Sequence, residues 1–237
     1  MCWTTRSRSA SRPFADDVPA TREVQAMDFE EALIETRVVP VVEIPRAEDA
    51  VPLARALADG GLPCAEITFR TSAAAAAIAA IAAAVPGFLV GAGTVLTVAQ
   101  AEEALAAGAQ FLVAPNFDAA VVDFAREQGV PMLPGVCTPT EIGRALASGL
   151  SIVKLFPAEA AGGLAYLRAV AAAFGGVRFV PTGGIGPANV AAYLAHHQVV
   201  ACGGSWMVKK QMIAAGDFET IGRLAAEAVH LAAEAVA

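Results

Sequence analysis

From residue 28 onward, short apolar runs rich in β-branched residues alternate with alanine-rich stretches of helical character. The runs are Val38–Ile44, Cys64–Arg70, Phe88–Val95, Phe111–Pro115, Pro131–Val136, Ile152–Pro157, Arg178–Gly183 and Val199–Ser205, and they begin about 20–26 residues apart. Helix-compatible stretches follow them, among them Glu48–Ala58, Ser72–Ala84, Ala99–Ala107 and Thr140–Ala147. Gly60-Gly61, Gly108, Gly129 and Gly149 stand where a glycine commonly ends a helix. Eight strand–helix units without a break in composition predict an α/β chain folded as one (β/α)8 TIM barrel. A short N-terminal helix, Phe29–Thr36, led in by residues from Pro19 to Asp28, is expected to plug the barrel floor. The competing arrangement, an open doubly wound sheet, leads one to expect a glycine-rich GxGxxG turn after the first strand. Pro45-Arg46-Ala47-Glu48 stands there instead.

Composition narrows the setting. At 237 residues and 56% hydrophobic content, one large core is within reach, and a barrel of this length is ordinary. The net charge of −7 argues against non-specific binding to nucleic acid or to an anionic membrane. It leaves room for a small anion held by a locally positive site. The longest apolar stretch, Ala73 to Val85, is mostly alanine and ends at Pro86-Gly87, too short to span a bilayer. Cys2, Cys64, Cys137 and Cys202 form no CxxC pair and show no zinc spacing, which points to reduced thiols in a cytoplasm and to no metal. The adjacent His196 and His197 do not face one way on a helix, so they form no metal pair. Residues 1–27 lack the apolar core of a secretory signal and are expected to be a disordered leader ahead of a barrel at 28–237.

One residue carries most of the chemistry. The chain has three lysines against thirteen arginines, and Lys154 alone sits inside an apolar run, Ile152-Val153-Lys154-Leu155-Phe156-Pro157. Where charge is all that is needed, this sequence uses arginine. A buried lysine offers what arginine does not, an amine that can lose its proton and attack. The plainer explanation is a lysine that extends its ammonium to water or pairs with a carboxylate. The second run, Ala65-Glu66-Ile67-Thr68-Phe69-Arg70, weighs against that. Alternation puts Glu66, Thr68 and Arg70 on one face, with Glu66 deepest and Arg70 highest, and Ile67 and Phe69 on the other. A closed barrel has no edge strand to explain such a polar face, so the trio is expected to point into the mouth. Gly91-Ala92-Gly93-Thr94 is expected to leave room for a ligand. Pro181-Thr182-Gly183-Gly184-Ile185 and Cys202-Gly203-Gly204-Ser205-Trp206 end the seventh and eighth runs, where barrels of this type hold phosphate on backbone N–H groups.

Gly61-x-x-x-x-Glu66-Ile67-Thr68-Phe69-Arg70 resembles the first signature of the 2-keto-3-deoxy-6-phosphogluconate (KDPG) aldolase and 4-hydroxy-2-oxoglutarate aldolase family, and Gly149-x-x-x-Val153-Lys154-Leu155-Phe156-Pro157-Ala158-x-x-x-Gly162 resembles the second. The likeness continues through Gly91-Ala92-Gly93-Thr94, Pro134-Gly135-Val136, Pro181-Thr182-Gly183-Gly184-Ile185 and Gly203-Gly204-Ser205-Trp206, roughly from Phe29 to Ala237. It implies a metal- and cofactor-independent aldolase that assembles as a homotrimer. Lys154 matches the family's Schiff-base lysine, Glu66 its acid/base glutamate and Arg70 its carboxylate-binding arginine. Thr94 and Thr182 match its polar pocket residues, and Gly183, Gly184 and Ser205 its phosphate loop. The implied substrates are a phosphorylated 2-keto-3-deoxy sugar acid and pyruvate. Two positions depart from the familiar pattern: Asn116, in Pro115-Asn116-Phe117 after the fourth run, and Glu43, where some related aldolases carry an arginine. Thr182 before Gly-Gly resembles the gluconate-type enzyme more than the galactonate type. Cleavage of 4-hydroxy-2-oxoglutarate or of the phosphogalactonate analogue stays open beside the phosphogluconate reading. So does a barrel that only binds a sugar phosphate or serves as a scaffold, though a scaffold has no need of Glu66, Arg70 and Lys154 together.

Overall fold

The structure, a computed structural model, describes residues 25–235. Helix α1 (Gln25–Thr36) leads into β1 (Val38–Val42) and, past a 3-10 turn at Ala47–Asp49, α2 (Ala50–Asp59). Then come β2 (Cys64–Thr68), α3 (Ala74–Ala84), β3 (Leu89–Gly93), α4 (Val98–Ala106), β4 (Leu112–Val113) and α5 (Ala119–Glu127). The second half runs β5 (Met132–Leu133), β6 (Gly135–Val136), α6 (Pro139–Ala147), β7 (Ile152–Leu155), α7 (Gly163–Ala173), β8 (Arg178–Pro181), α8 (Val190–Leu194), β9 (Cys202–Gly204), α9 (Lys210–Ala214) and α10 (Phe218–Glu234). Helix α1 begins four residues before the predicted Phe29, so residues 25–27 of the expected leader are helical. The remainder of that leader lies outside the described residues.

Every strand pairing is parallel. One six-stranded sheet has the order β5-β4-β3-β2-β1-β9, and a three-stranded sheet the order β6-β7-β8. The fifth predicted run is split in two, because Pro134 has no N–H to give the ladder. Its halves serve different sheets: β5 pairs with β4, while β6 pairs with β7 and Pro134 O accepts from Lys154 N at 2.9 Å. On the far side, isolated parallel bridges join Phe179 to Val199 and Thr182 to Gly203. The result is a mixed α/β fold built on curled parallel sheet.

Two apolar layers follow from the alternation of side chains along the strands. The outer layer packs strand residues such as Val38, Val42, Ile67, Val90 and Val153 against the helices. The inner layer gathers Val39, Phe111, Val113, Leu133, Val180, Val200 and Ala201 from strands of both sheets, the residue before β4 and the segment before β9, and α1 caps it with Phe29 and Leu33. The Phe29 and Phe111 rings lie 4.8 Å apart. Arg178 at the start of β8 donates to Glu30 of α1, and that bond holds the Glu30 carboxyl below its usual range. The predicted N-terminal helix is therefore present and covers one end of the inner layer. The C-terminal ends of the strands, away from α1, border a cavity. Among the described residues no helix is long and apolar enough to cross a membrane.

Candidate active site

All five residues of β2 are buried, Glu66 to 3% exposure and Thr68 to 1%. Thr68 Oγ1 donates to Val42 O at 2.8 Å, which ties the end of β2 to that of β1. Glu66 reaches across to Lys154 of β7, whose Nζ lies 3.1 Å from Oε1 and 3.3 Å from Oε2. The two side chains are only 6% and 4% exposed. Either charge alone would be costly at that depth, and each group compensates the other. Lys154 Nζ also stands 5.6 Å from the centre of the Phe156 ring, two residues along the same strand face.

Glycines make this meeting possible. A Cβ on Gly93 would sit 2.1 Å from Glu66 Oε1, and one on Gly91 would sit 2.4 Å from the Phe111 ring. The room that Gly91 and Gly93 were expected to leave for a ligand is thus filled by the protein itself. Gly93 seats the carboxylate and Gly91 seats a core aromatic. Thr94 follows at φ 58, half-buried.

Above the pair, a cavity of about 150 Å³ is lined by Val41, Arg70, Phe156, Thr182, Gly183, Gly184, Ile185, Gly203, Gly204 and Ser205. Five predicted site residues thus share one wall: Arg70, Thr182, Gly183, Gly184 and Ser205. Lys154, Glu66 and Thr94 are not on it. The charged partner of Lys154 is Glu66, and Lys154 Nζ stands close to the ring of Phe156, which does line the cavity. Arg70 is exposed at the rim and has no ion pair among the described residues.

The glycine loop is built by its neighbours. Gly183 and Gly184 have φ of 97° and 83°, a backbone that favours glycine. Glu159 N donates to Gly183 O at 3.0 Å, and Ala158 N to Thr182 O at 2.8 Å. Asn189 accepts from Gly186 N and donates to Gly184 O. Tyr193 OH donates to Glu159, and burial together with that bond pushes the phenol well above its usual range. A Cβ on Gly184 would lie 2.6 Å from Glu159 Cβ, so Gly184 is small for Glu159 as well as for any ligand. Thr182 packs over Gly203 in the same way.

Of the two departures, Asn116 is exposed and lines neither this cavity nor its neighbour. Its backbone instead lies against Gly135, where a Cβ would be 2.6 Å from Asn116 N. Glu43 accepts from Lys210 Nζ at 2.6 Å on the wall of an adjoining cavity. Sequence reasoning missed Gly93 as the seat of Glu66, and Glu159 with Tyr193 and Asn189 as the frame of the glycine loop. The short Gly-Ala-Gly run showed that something approaches the backbone, but not what. Glu159 sits two residues past Pro157 in the second signature, the only mark it carried.

The family model for KDPG and KHG aldolase matches residues 29–224. The 2-dehydro-3-deoxy-phosphogluconate aldolase of Treponema pallidum (strain Nichols) is 56% identical over 201 residues, covering 85% of this chain and 96% of that one. Among solved structures, the 2-keto-3-deoxy-6-phosphogluconate aldolase of Zymomonas mobilis ZM4 with 3-phosphoglycerate superposes with a TM-score of 0.80 at 40% identity, over 85% of this chain and 94% of that one. A KDPG aldolase of Legionella pneumophila, with pyruvate captured as a covalent carbinolamine intermediate, gives 0.81 at 36% identity, over 83% and 96%. With a buried lysine–glutamate pair under a glycine-walled cavity, and with these matches along most of its length, the chain belongs to the KDPG and KHG aldolase family.

Proposed function

We infer that this protein is a Schiff-base aldolase that reversibly cleaves 2-dehydro-3-deoxy-6-phosphogluconate to pyruvate and glyceraldehyde 3-phosphate. The observation that carries the reading is the Lys154–Glu66 contact of 3.1 Å, buried below a cavity that ends in a glycine loop. An attacking amine must be neutral, and the nearest base to Lys154 is Glu66. Proton transfer within the pair frees the amine and leaves the proton on the carboxyl. Nζ then adds to the C2 ketone, and Glu66 returns the proton to the departing hydroxyl as water is lost. The iminium draws in the electrons of the C3–C4 bond while the C4 hydroxyl gives its proton to the Glu66 carboxylate, directly or through one water. The aldehyde leaves, the enamine is protonated at C3, and hydrolysis of the imine releases pyruvate and restores Lys154.

The remaining assignments belong to the same proposal. Arg70 offers two parallel N–H bonds to the substrate carboxylate. Gly183, Gly184 and Ser205 hold the distal phosphate, and that remote binding positions the reacting carbons. Thr182 on the cavity wall and Thr94 beside the seat of Glu66 bond the hydroxyl groups. Phe156, which lines the cavity and stands close to Nζ, borders the ketone's way to the amine.

We also propose that the two sheets are one closed (β/α)8 barrel over residues 28–237. The pairings on both sides of Pro134, the bridges to Val199 and Gly203, and the inner layer shared by both sheets support it. A homotrimer is the proposed assembly, and Leu96, 47% exposed just beyond the end of β3, suits a subunit contact. A phosphorylated substrate that does not cross bilayers, and free thiols at Cys64, Cys137 and Cys202, support a cytoplasmic setting. One observation favours a second reading: the matching family model covers KHG aldolase too, and the lysine chemistry is the same for the unphosphorylated 4-hydroxy-2-oxoglutarate. Turnover of both ketoacids decides. The phosphogluconate reading expects a much higher kcat/KM for the phosphorylated acid, and equal values hand the reaction to hydroxy-oxoglutarate.

A further inference from the structure

A second cavity, of about 290 Å³, adjoins the first and shares Val41, Arg70 and Ser205 with it. Its far wall carries Lys209, Lys210 and Glu43. Two of the chain's three lysines therefore stand at one opening, on a protein whose net charge is −7. Lys210 is held by Glu43 at 2.6 Å. Arg70 and Lys209 have no ion pair among the described residues. Three cations against one carboxylate leave the space positive by two charges, and two of those cations are uncompensated by the protein. None of these four side chains is claimed by the core. Both lysines are exposed, so they can turn toward a solute.

We propose that this annex binds the phosphate group of a small anion, separate from the phosphate loop at Gly183 and Gly184. Lys209 and Lys210 hold it from one side and Arg70 from the other. Glu43 tempers the site by occupying Lys210 and repelling the anion. Because Arg70 belongs to both cavities, an anion in the annex draws the guanidinium away from the substrate carboxylate. It therefore acts at the pyruvate end of the site through Arg70, while Ser205, the other polar residue that the two cavities share, stays with the substrate's own phosphate. This inference rests on the reading of Arg70 as the carboxylate seat.

The test measures inorganic phosphate inhibition of imine trapping with pyruvate, together with direct phosphate binding by titration calorimetry. Pyruvate does not reach the glycine loop, so phosphate bound there leaves trapping untouched, whereas phosphate in the annex slows it. Loss of a charge-assisted contact is expected to weaken this inhibition about tenfold in Lys209→Gln and in Lys210→Gln. Glu43→Gln, which frees Lys210 and removes the repulsion, should strengthen it severalfold. In the absence of phosphate, kcat should stay unchanged in all three. A parallel arm with phosphoglycolate separates the sources: tighter binding than phosphate identifies a phosphorylated acid as occupant, and equal affinity identifies free phosphate. Inhibition constants that agree across wild type and variants, or shifts of one sign in all three, overturn the proposal. If no variant and no wild-type protein traps pyruvate, the aldolase reading has failed. The annex then stands or falls on calorimetry alone, by loss of a phosphate site in the lysine variants.

Discussion

Gly93→Ala tests whether the catalytic geometry is set where the structure sets it. Gly93 does not have a positive φ, so alanine adds no backbone strain and the effect is steric. The new Cβ would lie 2.1 Å from Glu66 Oε1 and 2.3 Å from its Cγ, where real contacts begin near 3.0 Å. The carboxylate must retreat by about 1 Å, which takes it beyond hydrogen-bond range of Lys154, and misplacements of that size cost on the order of 10²-fold in rate. In barrier terms this is about 2.7 kcal/mol. The separation also leaves a buried ammonium short of its partner, a loss of about 3 kcal/mol at the low end for broken buried pairs. At roughly 2–4 °C per kcal/mol for a chain of this size, Tm should fall by about 6–12 °C. Pyruvate release coupled to lactate dehydrogenase reads the rate, and thermal unfolding reads the stability. Gly91→Ala is the control, since its Cβ would strike Phe111 instead and should cost stability with a smaller loss of kcat in the fraction that folds. A Gly93→Ala enzyme with kcat within threefold of wild type and an unchanged Tm would refute the reasoning.

Three further outcomes follow from the same geometry. Glu66→Gln should lower kcat by about 10²–10⁴-fold while the folded protein persists, and a rate within threefold of wild type would move the proton to another group. Gly184→Ala should raise KM for the phosphorylated acid, because the Cβ meets Glu159 and the φ of 83° resists alanine. Trapping of pyruvate should stay near normal, and an equal loss in both assays would show that the loop's effect is global. In α6, burial raises the Glu141 pKa, but bonds from Cys137 N, Thr138 N and Thr138 Oγ1 outweigh it and hold the carboxyl below its usual value. A lowered folded pKa means stability present above the unfolded value and lost as pH falls through the folded one. Glu141→Gln should therefore lower Tm by about 2–4 °C at pH 7, with the gap closing below about pH 4, and a gap independent of pH would contradict this.

Some of this was legible in the residues and some was not. Strand alternation was enough to set Glu66 and Thr68 on one face and Ile67 on the other, because a buried parallel strand leaves its side chains only two directions. The isolation of Lys154 in an apolar run announced a buried amine. Its partner was another matter. The 3.1 Å contact joins residues 88 apart in the chain, and pairing across an inner space depends on strand order and stagger that no local pattern encodes. Pro134 was visible, yet its effect of dividing one strand between two sheets depends on which neighbours need its missing N–H. The glycines show the same limit: Gly91 and Gly93 signal a close approach, and only the fold says that Phe111 and Glu66 are what approach. The basic annex was hidden because Arg70 and Lys209-Lys210 lie far apart in sequence and converge only when β9 is laid beside β1.

The central claim is that Lys154 carries the reaction as an imine. Incubation with pyruvate and borohydride, followed by peptide mass mapping, tests it most directly. The account predicts one reduced pyruvyl adduct on Lys154, loss of activity in step with labelling, and no adduct in Lys154→Arg. An adduct confined to Lys209 or Lys210, or an active enzyme that traps no pyruvate at all, would contradict it.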